Sequence, residues 1–272
     1  MDGAHLAELI ELEETYWWHV AKRRLAGQVL LDHFPPPGRV VEGGIGSARN
    51  LLEFSYLGYE PTGLDLMPES IAHAAACGLK DVHVHDLQDP WPIEPASARA
   101  VVLLDVLEHV ADPARVLMHA RDTLQPGGGI VVNVPAYPVL YSDWDRSLGH
   151  YRRYRTRDLV AQARAAELRV RWLSHWNALA LPPALIYRKL HRLFPRQKRA
   201  KFPRVSPAVN SLLSGNTRLE RWLLKYVRIP LGLSLMSVLV PDSPIGEAET
   251  ENHNLASHTQ IAGRPPAQHA DC

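Results

Sequence analysis

Three glycines that could form a ligand-binding turn lie in the stretch VVEGGIGSARNLL, which runs from Val40 to Leu52. Glycine loses much backbone freedom on folding, so Gly43, Gly44 and Gly46 within four positions need a local reason. A bend of bare backbone lets a ligand lie against the chain, and the start of the next helix offers unpaired N–H groups to a carboxylate or phosphate. The stretch therefore predicts a ligand-binding turn after a buried strand.

Acids follow this turn at intervals that match successive strands. Asp65, in GLDL, lies about 20 positions after the turn, where a carboxylate can accept both hydroxyls of a ribose. Asp86 in VHDLQD and Asp105 in VVLLDV stand after two further apolar runs. Each alone could be a solvent-exposed strand end or a helix cap. Together with the glycine turn, they favour a cofactor that contains a nucleoside.

The type of cofactor is narrowed by two residues near the turn. The dinucleotide-binding pattern GxGxxG requires a third glycine, where this chain has Arg49. Glu42, at the end of the preceding strand, would repel a pyrophosphate but attract a sulfonium or ammonium group. These residues favour S-adenosylmethionine over NAD.

Two histidines are candidate general bases for an oxygen or nitrogen nucleophile. His109 follows the fourth apolar run, in DVLEHV, and His150 lies in the aromatic and basic segment LGHYRRY. A helix cap is the alternative role for His109, and an ordinary surface loop is the alternative for the segment around His150. As an acceptor-binding loop, the segment would use Tyr141, Trp144, Asp145, Arg153 and Tyr154.

A divalent metal is a further alternative. Asp105, Glu108 and His109 have a spacing that could present two carboxylates and an imidazole to a hard cation. Because Glu108 in such a position more often faces a helix end, we predict no metal site.

The elements that must position these residues alternate between strand and helix from residue 39 to 136. One long helix is predicted over residues 4–34, and PGGG is predicted as a turn before the fifth strand, IVVNVPA. RVRWLSHWN and GLSLMSVLV are candidates for a sixth and a seventh strand. The predicted fold class is α/β, with a doubly wound, Rossmann-like sheet of seven mainly parallel strands and a helical insertion before the last strand.

The chain divides into four predicted parts. Residues 1–38 form an N-terminal helical lid, and residues 39–177 together with 229–241 form the Rossmann-like core. Residues 178–228 form the helical insertion, which would cap the acceptor. Residues 242–272 lack periodicity and are predicted to be disordered.

Composition limits the compartment and the partners. The 272 residues carry a net charge of +1 and include two cysteines, which argues against a nucleic-acid partner and favours a reducing compartment. No secretory signal and no apolar run long enough to span a bilayer are visible, so a cytoplasmic protein is expected. Residues 188–204 are rich in Lys and Arg and lie between amphipathic helices, which makes them a candidate for peripheral membrane contact. We expect a monomer or a homodimer.

The motifs VVEGGIGS, GLDL, VHDLQD, VVLLDVLEHVADP and LQPGGGIVVNVPAY resemble, in order and spacing, those of class I S-adenosylmethionine-dependent methyltransferases. The resemblance is strong over residues 40–136. The flanking segments YWWHVAKRR and GHYRRYRTRDL look like a bacterial small-molecule subgroup of that superfamily. Many members have Asp where this chain has Glu42, which keeps the carboxylate.

The resemblance implies a role for each position that matches. The methionine end of the cofactor would contact the glycine turn and Glu42, the ribose would contact Asp65, and the adenine would contact the strand ends that follow. Asp105 would stand beside the methyl group, and Arg24 would bind the methionine carboxylate. The implied cofactor-binding set is Glu42, Gly44, Gly46, Asp65, Leu66, Asp86, Leu87, Asp105 and Arg24.

The sequence thus predicts a methyltransferase acting on an oxygen, nitrogen or activated carbon of a small, apolar or lipid-like acceptor. His150 and His109 are the predicted catalytic residues, and a role in secondary metabolism is expected. An NAD-type oxidoreductase and a non-catalytic, cofactor-binding or membrane-associated partner protein are the alternatives.

Overall fold

The computed structural model describes residues 3–186 and 205–242, with side chains from residue 6 onward. The strands are β1 (Arg39–Gly43), β2 (Glu60–Asp65), β3 (Val82–Val84), β4 (Ala98–Leu104), β5 (Leu124–Pro135), β6 (Leu168–Trp176) and β7 (Ser234–Pro241). The helices are α1 (Gly3–Glu13), α2 (Trp17–His33), α3 (Arg49–Tyr56), α4 (Pro68–Ala76), α5 (Pro113–Asp122), α6 (Asp143–Ser147), α7 (Thr156–Ala165) and α8 (Pro207–Leu223). A short 3-10 helix spans Pro138–Leu140, and residues 181–186 are also helical.

The strands form one sheet in the order β3-β2-β1-β4-β5-β7-β6. The first five strands are parallel, and β7 runs antiparallel to both of its neighbours, β5 and β6. The prediction of a seven-stranded, mainly parallel, Rossmann-like α/β sheet is therefore confirmed. Strand order reverses beside β1, so the carboxyl ends of β1 and β4 border the crevice where such sheets bind ligands.

Helices cover both faces of the sheet, which explains why β4 is almost entirely apolar. Successive residues of β1 point to opposite faces: Val40 belongs to the apolar cluster that includes Leu30 of α2, and Val41 belongs to the cluster that includes Leu117 of α5. All of these side chains are buried. The sheet is thus held rigidly between two apolar layers, and its strand ends are fixed in space.

The predicted helix over residues 4–34 is in fact two helices. The chain turns after α1, where the backbone N–H groups of Thr15 and Tyr16 both donate to the Leu12 carbonyl. The second helix, α2, packs into the core, whereas α1 lies over the glycine turn. The predicted lid role therefore remains a proposal for α1.

The fifth strand begins earlier than predicted and takes in the PGGG segment. A Cβ atom at Gly129 would lie 2.4 Å from Phe34 Cζ and 2.6 Å from the Leu239 carbonyl oxygen. Glycine is therefore required there by close packing inside the sheet, and the turn prediction was wrong at this position.

The predicted insertion is seen in part, as residues 181–186 and α8. The basic stretch 188–204 lies outside the described residues, as does the predicted tail from residue 243 onward. Within the described part of the chain, each helix is too short or too polar to cross a membrane.

Candidate active site at the carboxyl ends of the strands

The glycine turn follows β1 and has a backbone conformation that favours glycine. Gly44 and Gly46 have φ angles of +75° and +54°, in the left-handed region. A Cβ atom at Gly44 would lie 2.7 Å from Val106 Cγ2, and one at Gly46 would lie 2.9 Å from Leu9 Cδ2. Larger residues are therefore excluded by backbone conformation and by contact, and the side chains of α1 and of the loop after β4 cover the turn.

Asp65, at the end of β2, holds the turn in place. One carboxylate oxygen accepts the backbone N–H of Gly46 at 3.0 Å, and the other accepts that of Met67 at 2.8 Å. Burial raises the pKa of Asp65, although these N–H groups oppose the increase. Each oxygen keeps a second acceptor position, so the carboxylate can hold the turn and still receive a hydroxyl group.

Glu42 is a buried acid with unused hydrogen-bonding capacity. Its Oε1 accepts from Asn50 Nδ2 at 2.7 Å, whereas its Oε2 has no hydrogen-bond partner among the described residues. Burial raises the pKa of Glu42 to about 8. A positively charged ligand at Oε2 would satisfy this oxygen and favour its ionised form, so the turn fits a cofactor with a cationic end.

Asp105 lies at the end of β4 with a φ of +58° and is held by two side chains. Lys22 Nζ donates to Asp105 Oδ2 at 2.8 Å, and Asn133 Nδ2 donates to Oδ1. Burial alone would raise the pKa of Asp105, but Lys22 and Asn133 hold it below its ordinary value. The carboxylate is therefore ionised and fixed at the crevice.

The cation that the structure places at this site is Lys22, whereas Arg24, the implied partner of the methionine carboxylate, lies elsewhere on α2. Lys22 is buried, whereas Arg24 is exposed and lines a cavity between α2 and α8 with Arg218 and Arg221. The two residues are two positions apart on α2, so they face different sides of the helix. The segment AKRR contains three cationic residues in a row. The sequence does not show which of them faces the crevice, because this depends on how α2 is rotated against the sheet.

The remaining implied cofactor residues follow β2 and β3. Leu66 is exposed beside Asp65. Asp86 is partly buried, and its Oδ1 accepts the Gln88 backbone N–H at 2.9 Å. Leu87 is buried and packs on Gly43, at the start of the glycine turn. The structure therefore places this set along neighbouring strand ends, and its contacts with adenine remain a prediction.

The two candidate bases lie against each other. The rings of His109 and His150 are 4.6 Å apart between centroids and nearly perpendicular, at 87°. His150 Nδ1 lies 3.3 Å from Asp145 Oδ1. His109 keeps an exposed edge, yet loss of water around its packed ring, and then the neighbouring His150, lower its pKa to about 4. The imidazole of His109 is thus neutral at neutral pH, and its lowered pKa makes it a weak base.

Three of the predicted acceptor-binding residues are structural instead. Asp145 is fully buried and accepts from Arg153 Nε at 2.6 Å and from the Ser142 backbone N–H at 2.9 Å. Tyr154 is buried, and its hydroxyl donates to the Leu107 carbonyl at 2.9 Å. Asp145, Arg153 and Tyr154 therefore fix the loop, because their polar atoms are engaged within the fold.

Tyr141 and Trp144 are better placed to meet an acceptor. Both are partly buried in the same loop. The Tyr141 hydroxyl donates to the His150 carbonyl at 2.7 Å and so ties its own position to that of the histidine. Contact of these two aromatic side chains with an acceptor remains a prediction.

The carboxylate and imidazole groups form a different cluster from the one that spacing suggested. Ligand atoms of Glu108, His109 and His150 lie within 4.8 Å of one another. Asp105 is paired with Lys22 instead. Burial, and then the charge of Asp105, raise the pKa of Glu108 well above its ordinary value.

Comparison with known proteins matches this chain to methyltransferases. The family model described as a methyltransferase domain matches residues 17–181. The ubiquinone biosynthesis O-methyltransferase of Xanthomonas campestris pv. campestris (strain B100) is 30% identical over 103 residues, which are 36% of this chain and 43% of that protein. The chain therefore matches less than half of the length of this relative.

Solved structures show the same fold at low sequence identity. A Haloferax volcanii methyltransferase in complex with the Trm112 activator has a TM-score of 0.58 at 21% identity, over 88% of this chain and 95% of that one. The geranyl diphosphate C-methyltransferase of Streptomyces coelicolor A3(2), solved with S-adenosyl-L-homocysteine, has a TM-score of 0.51 at 14% identity, over 79% of this chain and 77% of that one.

The family match covers more than half of the chain and includes the glycine turn, the buried Glu42 and the strand-end acids. It decides between the two cofactor classes in favour of the methyl donor. This chain belongs to the methyltransferase-domain family, in the class I group that uses S-adenosylmethionine.

Proposed function

We propose that the chain transfers a methyl group from S-adenosylmethionine to a hydroxyl oxygen of a small, apolar, lipid-like acceptor. The observation that carries this proposal is the pair of imidazoles of His109 and His150 beside the carboxyl end of β4, with ring centroids 4.6 Å apart. A hydroxyl nucleophile needs a base within reach, and a nitrogen base in a packed aromatic loop supplies one. The matched relative is named as an O-methyltransferase, which agrees with this choice of atom.

The chain's own residues would bind and orient the cofactor, which supplies a methyl group on a positively charged sulfur. Glu42 would receive the ammonium group, and Gly44 and Gly46 would let the cofactor lie against the backbone. Asp65 would accept the ribose hydroxyls, with Leu66, Asp86 and Leu87 around the adenine. Because Leu9 and Val106 lie against the turn, these side chains would shift as the cofactor enters.

Within this proposal, His150 takes the hydroxyl proton, and His109 lies in contact with its ring. Asp145 is a positioning residue, because its carboxylate accepts from Arg153 Nε and its backbone carbonyl accepts the His150 N–H at 2.9 Å. The protein's main task is alignment of the oxygen with the methyl carbon, since the sulfonium already activates that carbon. Tyr141, Trp144 and residues 178–228 would enclose the acceptor.

Binding of S-adenosylmethionine should release close to one proton per site at pH 7. Glu42 has a pKa of about 8 in the free protein, so it is mostly protonated there, and a bound ammonium group would ionise it. Affinity should therefore increase with pH and level off above about pH 8. Calorimetry in buffers of different ionisation enthalpy measures the proton count, and Glu42→Gln should remove the release. Equal proton counts for both proteins would contradict the placement of Glu42.

His150→Ala should reduce turnover by about a hundredfold or more, the usual contribution of a general base, with cofactor affinity nearly unchanged. Single-turnover assays give the rate, and calorimetry gives the affinity. The exposed His83, on β3, provides a matched control, since His83→Ala removes an imidazole away from the His109 pair. A rate for His150→Ala equal to that of the control would remove His150 from the mechanism.

The proposed acceptor class is tested with methyl-labelled cofactor and pairs of phenols that differ by an isoprenoid tail. Label on the phenol oxygen, with the tailed compound preferred, supports the proposal. Label on nitrogen or carbon, or preference for the tailless compound, overturns it. Cofactor binding with no labelled product from these phenols or from a metabolite extract would instead favour a non-catalytic, cofactor-binding protein.

A further inference from the structure

Helix α8 presents a row of large apolar side chains to solvent. Leu212, Leu219, Trp222 and Tyr226 are 55% to 73% exposed. Their spacing of seven, three and four residues places them on one side of the helix and of the turn after it. We call these residues the α8 apolar stripe. The rings of Trp222 and Tyr226 are in contact, with centroids 5.4 Å apart, and exposed apolar side chains grouped on one side of a helix are typical of an interaction surface.

A row of cations runs beside the α8 apolar stripe. Arg218, Arg221 and Lys225 recur every three to four residues on the adjoining side of the helix and of the turn after it. Arg24 of α2 faces the two arginines across a cavity of about 170 Å³. The three arginines line this one cavity, and partial burial, followed by the charges of Arg24 and Arg218, lowers the pKa of Arg221. We call Arg24, Arg218, Arg221 and Lys225 the α8 cation row.

Acids of the same segment do not neutralise this row. Between residues 205 and 231 the sequence has one acid, Glu220. Glu220 is buried on the opposite side, where its two oxygens accept the backbone N–H groups of Asn177 and Ala178, each at 2.7 Å. The surface therefore combines exposed apolar side chains with positive charge that lacks an acid from its own segment.

We propose that the α8 apolar stripe and the α8 cation row dock this protein on the surface of an anionic phospholipid bilayer. Side chains such as Leu219 and Trp222 would enter the boundary between headgroups and acyl chains, and Trp222 and Tyr226 suit that depth. The arginines and the lysine would contact the lipid phosphates, because the negative surface of such a bilayer attracts clustered cations.

The charge of the surface favours this occupant over a second copy of the chain. Two copies meeting through the α8 apolar stripe would bring two α8 cation rows near each other. The acids beside the row, Glu14 and Glu53, are already paired with Arg49 and Arg23. A phosphate layer supplies that negative charge. The proposal does not depend on the methylation chemistry, so it can fail or hold independently of the proposed function.

Docking is linked to the candidate active site through α2. The Trp17 backbone N–H donates to Asn210 Oδ1 at 3.0 Å, and Asn210 Nδ2 donates to the Thr15 carbonyl at 2.9 Å. Lys22, which follows Trp17 on α2, reaches Asp105. The bound surface on α8 would thus lie against α2, the helix that borders the crevice, a suitable place for an enzyme that takes a lipid-like acceptor.

The test uses the full-length protein and sedimentation with vesicles of phosphatidylcholine, with or without phosphatidylglycerol. We expect binding to the anionic vesicles and little binding to the neutral ones. Arg218→Glu with Arg221→Glu should lower the bound fraction by about tenfold or more, since each cation near an anionic surface contributes several-fold. Leu219→Ser with Trp222→Ser should cause a similar loss. All of these side chains are at the surface, and circular dichroism confirms that each variant is folded.

Matched controls carry equal changes elsewhere on the surface. Lys80→Glu with Arg115→Glu reverses two exposed charges, and Tyr56→Ser removes an exposed aromatic ring. Both should leave vesicle binding within about twofold. Inorganic phosphate added as a competitor should not displace the protein at the ionic strength of the assay, because the apolar side chains also hold it.

Several results would overturn the proposal. One is no binding to either vesicle type; another is displacement by phosphate alone, which would indicate an anion site without a membrane. Loss of binding on Lys198→Glu with Arg199→Glu, but not on the α8 changes, would move the contact to residues 188–204. A dimer that Leu219→Ser dissociates, without vesicle binding, would identify a second copy as the occupant.

Discussion

Gly44→Val should abolish measurable binding of S-adenosylmethionine. Gly44 has a φ of +75°, which costs a β-branched residue about 1–2 kcal/mol. Its Cβ would also lie 2.7 Å from Val106 Cγ2, so the loop after β4 would have to move or the turn would open. Either change places side-chain atoms where the cofactor must meet bare backbone. Calorimetry with the cofactor and with its demethylated product measures the loss.

Gly127→Val is the matched control for this experiment. Gly127 has nearly the same φ, +79°, and a Cβ at this position would meet nothing within 4 Å. The substitution thus imposes the same backbone strain away from the crevice. It should lower the free energy of unfolding by about 1–2 kcal/mol and leave cofactor affinity unchanged. Comparable affinity in both variants would show that the turn at Gly44 is not the cofactor contact.

The parts of the fold that follow from local pattern were predicted from the sequence. The apolar residues of β4 require cover on both faces, and the glycines before α3 require a special backbone, so strand, turn and helix follow in order. Asp65 and Asp105 were predicted at strand ends because each directly follows an apolar run. The helix break before Tyr16 was missed, because the spacing of the apolar residues continues through it.

The side-chain partners were harder to predict, because they depend on contacts between distant parts of the chain. Lys22 and Asp105 are separated by 83 positions, and the phase of α2 against the sheet decides that Lys22 reaches the acid. Asp145 and Tyr154 looked like ligand-binding residues in a polar loop. In the structure they are buried and their polar atoms hold that loop. Nothing in the local sequence distinguishes such a structural residue from a ligand-binding one.

Lys22→Met should destabilise the protein by about 2–4 kcal/mol at neutral pH. The lysine and the aspartate side chains are 9% and 25% exposed, so removal of the ammonium leaves a mostly buried carboxylate with Asn133 as its remaining donor. Urea unfolding gives the free energy of unfolding. Asp105→Asn in the Lys22→Met background should recover much of the loss, since it removes the unpaired charge.

Acidification should narrow the gap between wild type and Lys22→Met. In the wild type, the lowered pKa of Asp105 contributes stability that is present above its unfolded pKa and is lost as pH falls through its folded pKa. In the variant, burial without Lys22 raises the pKa of Asp105, so the penalty is full at neutral pH and disappears as the carboxyl protonates.

The exposed pair Arg49–Glu14, at 3.3 Å and with side chains 35% and 56% exposed, is the control. Arg49→Met should cost less than about 1 kcal/mol. An equal loss for both substitutions, or a gap for Lys22→Met that does not change with pH, would show that the ion pair does not hold Asp105 at the crevice.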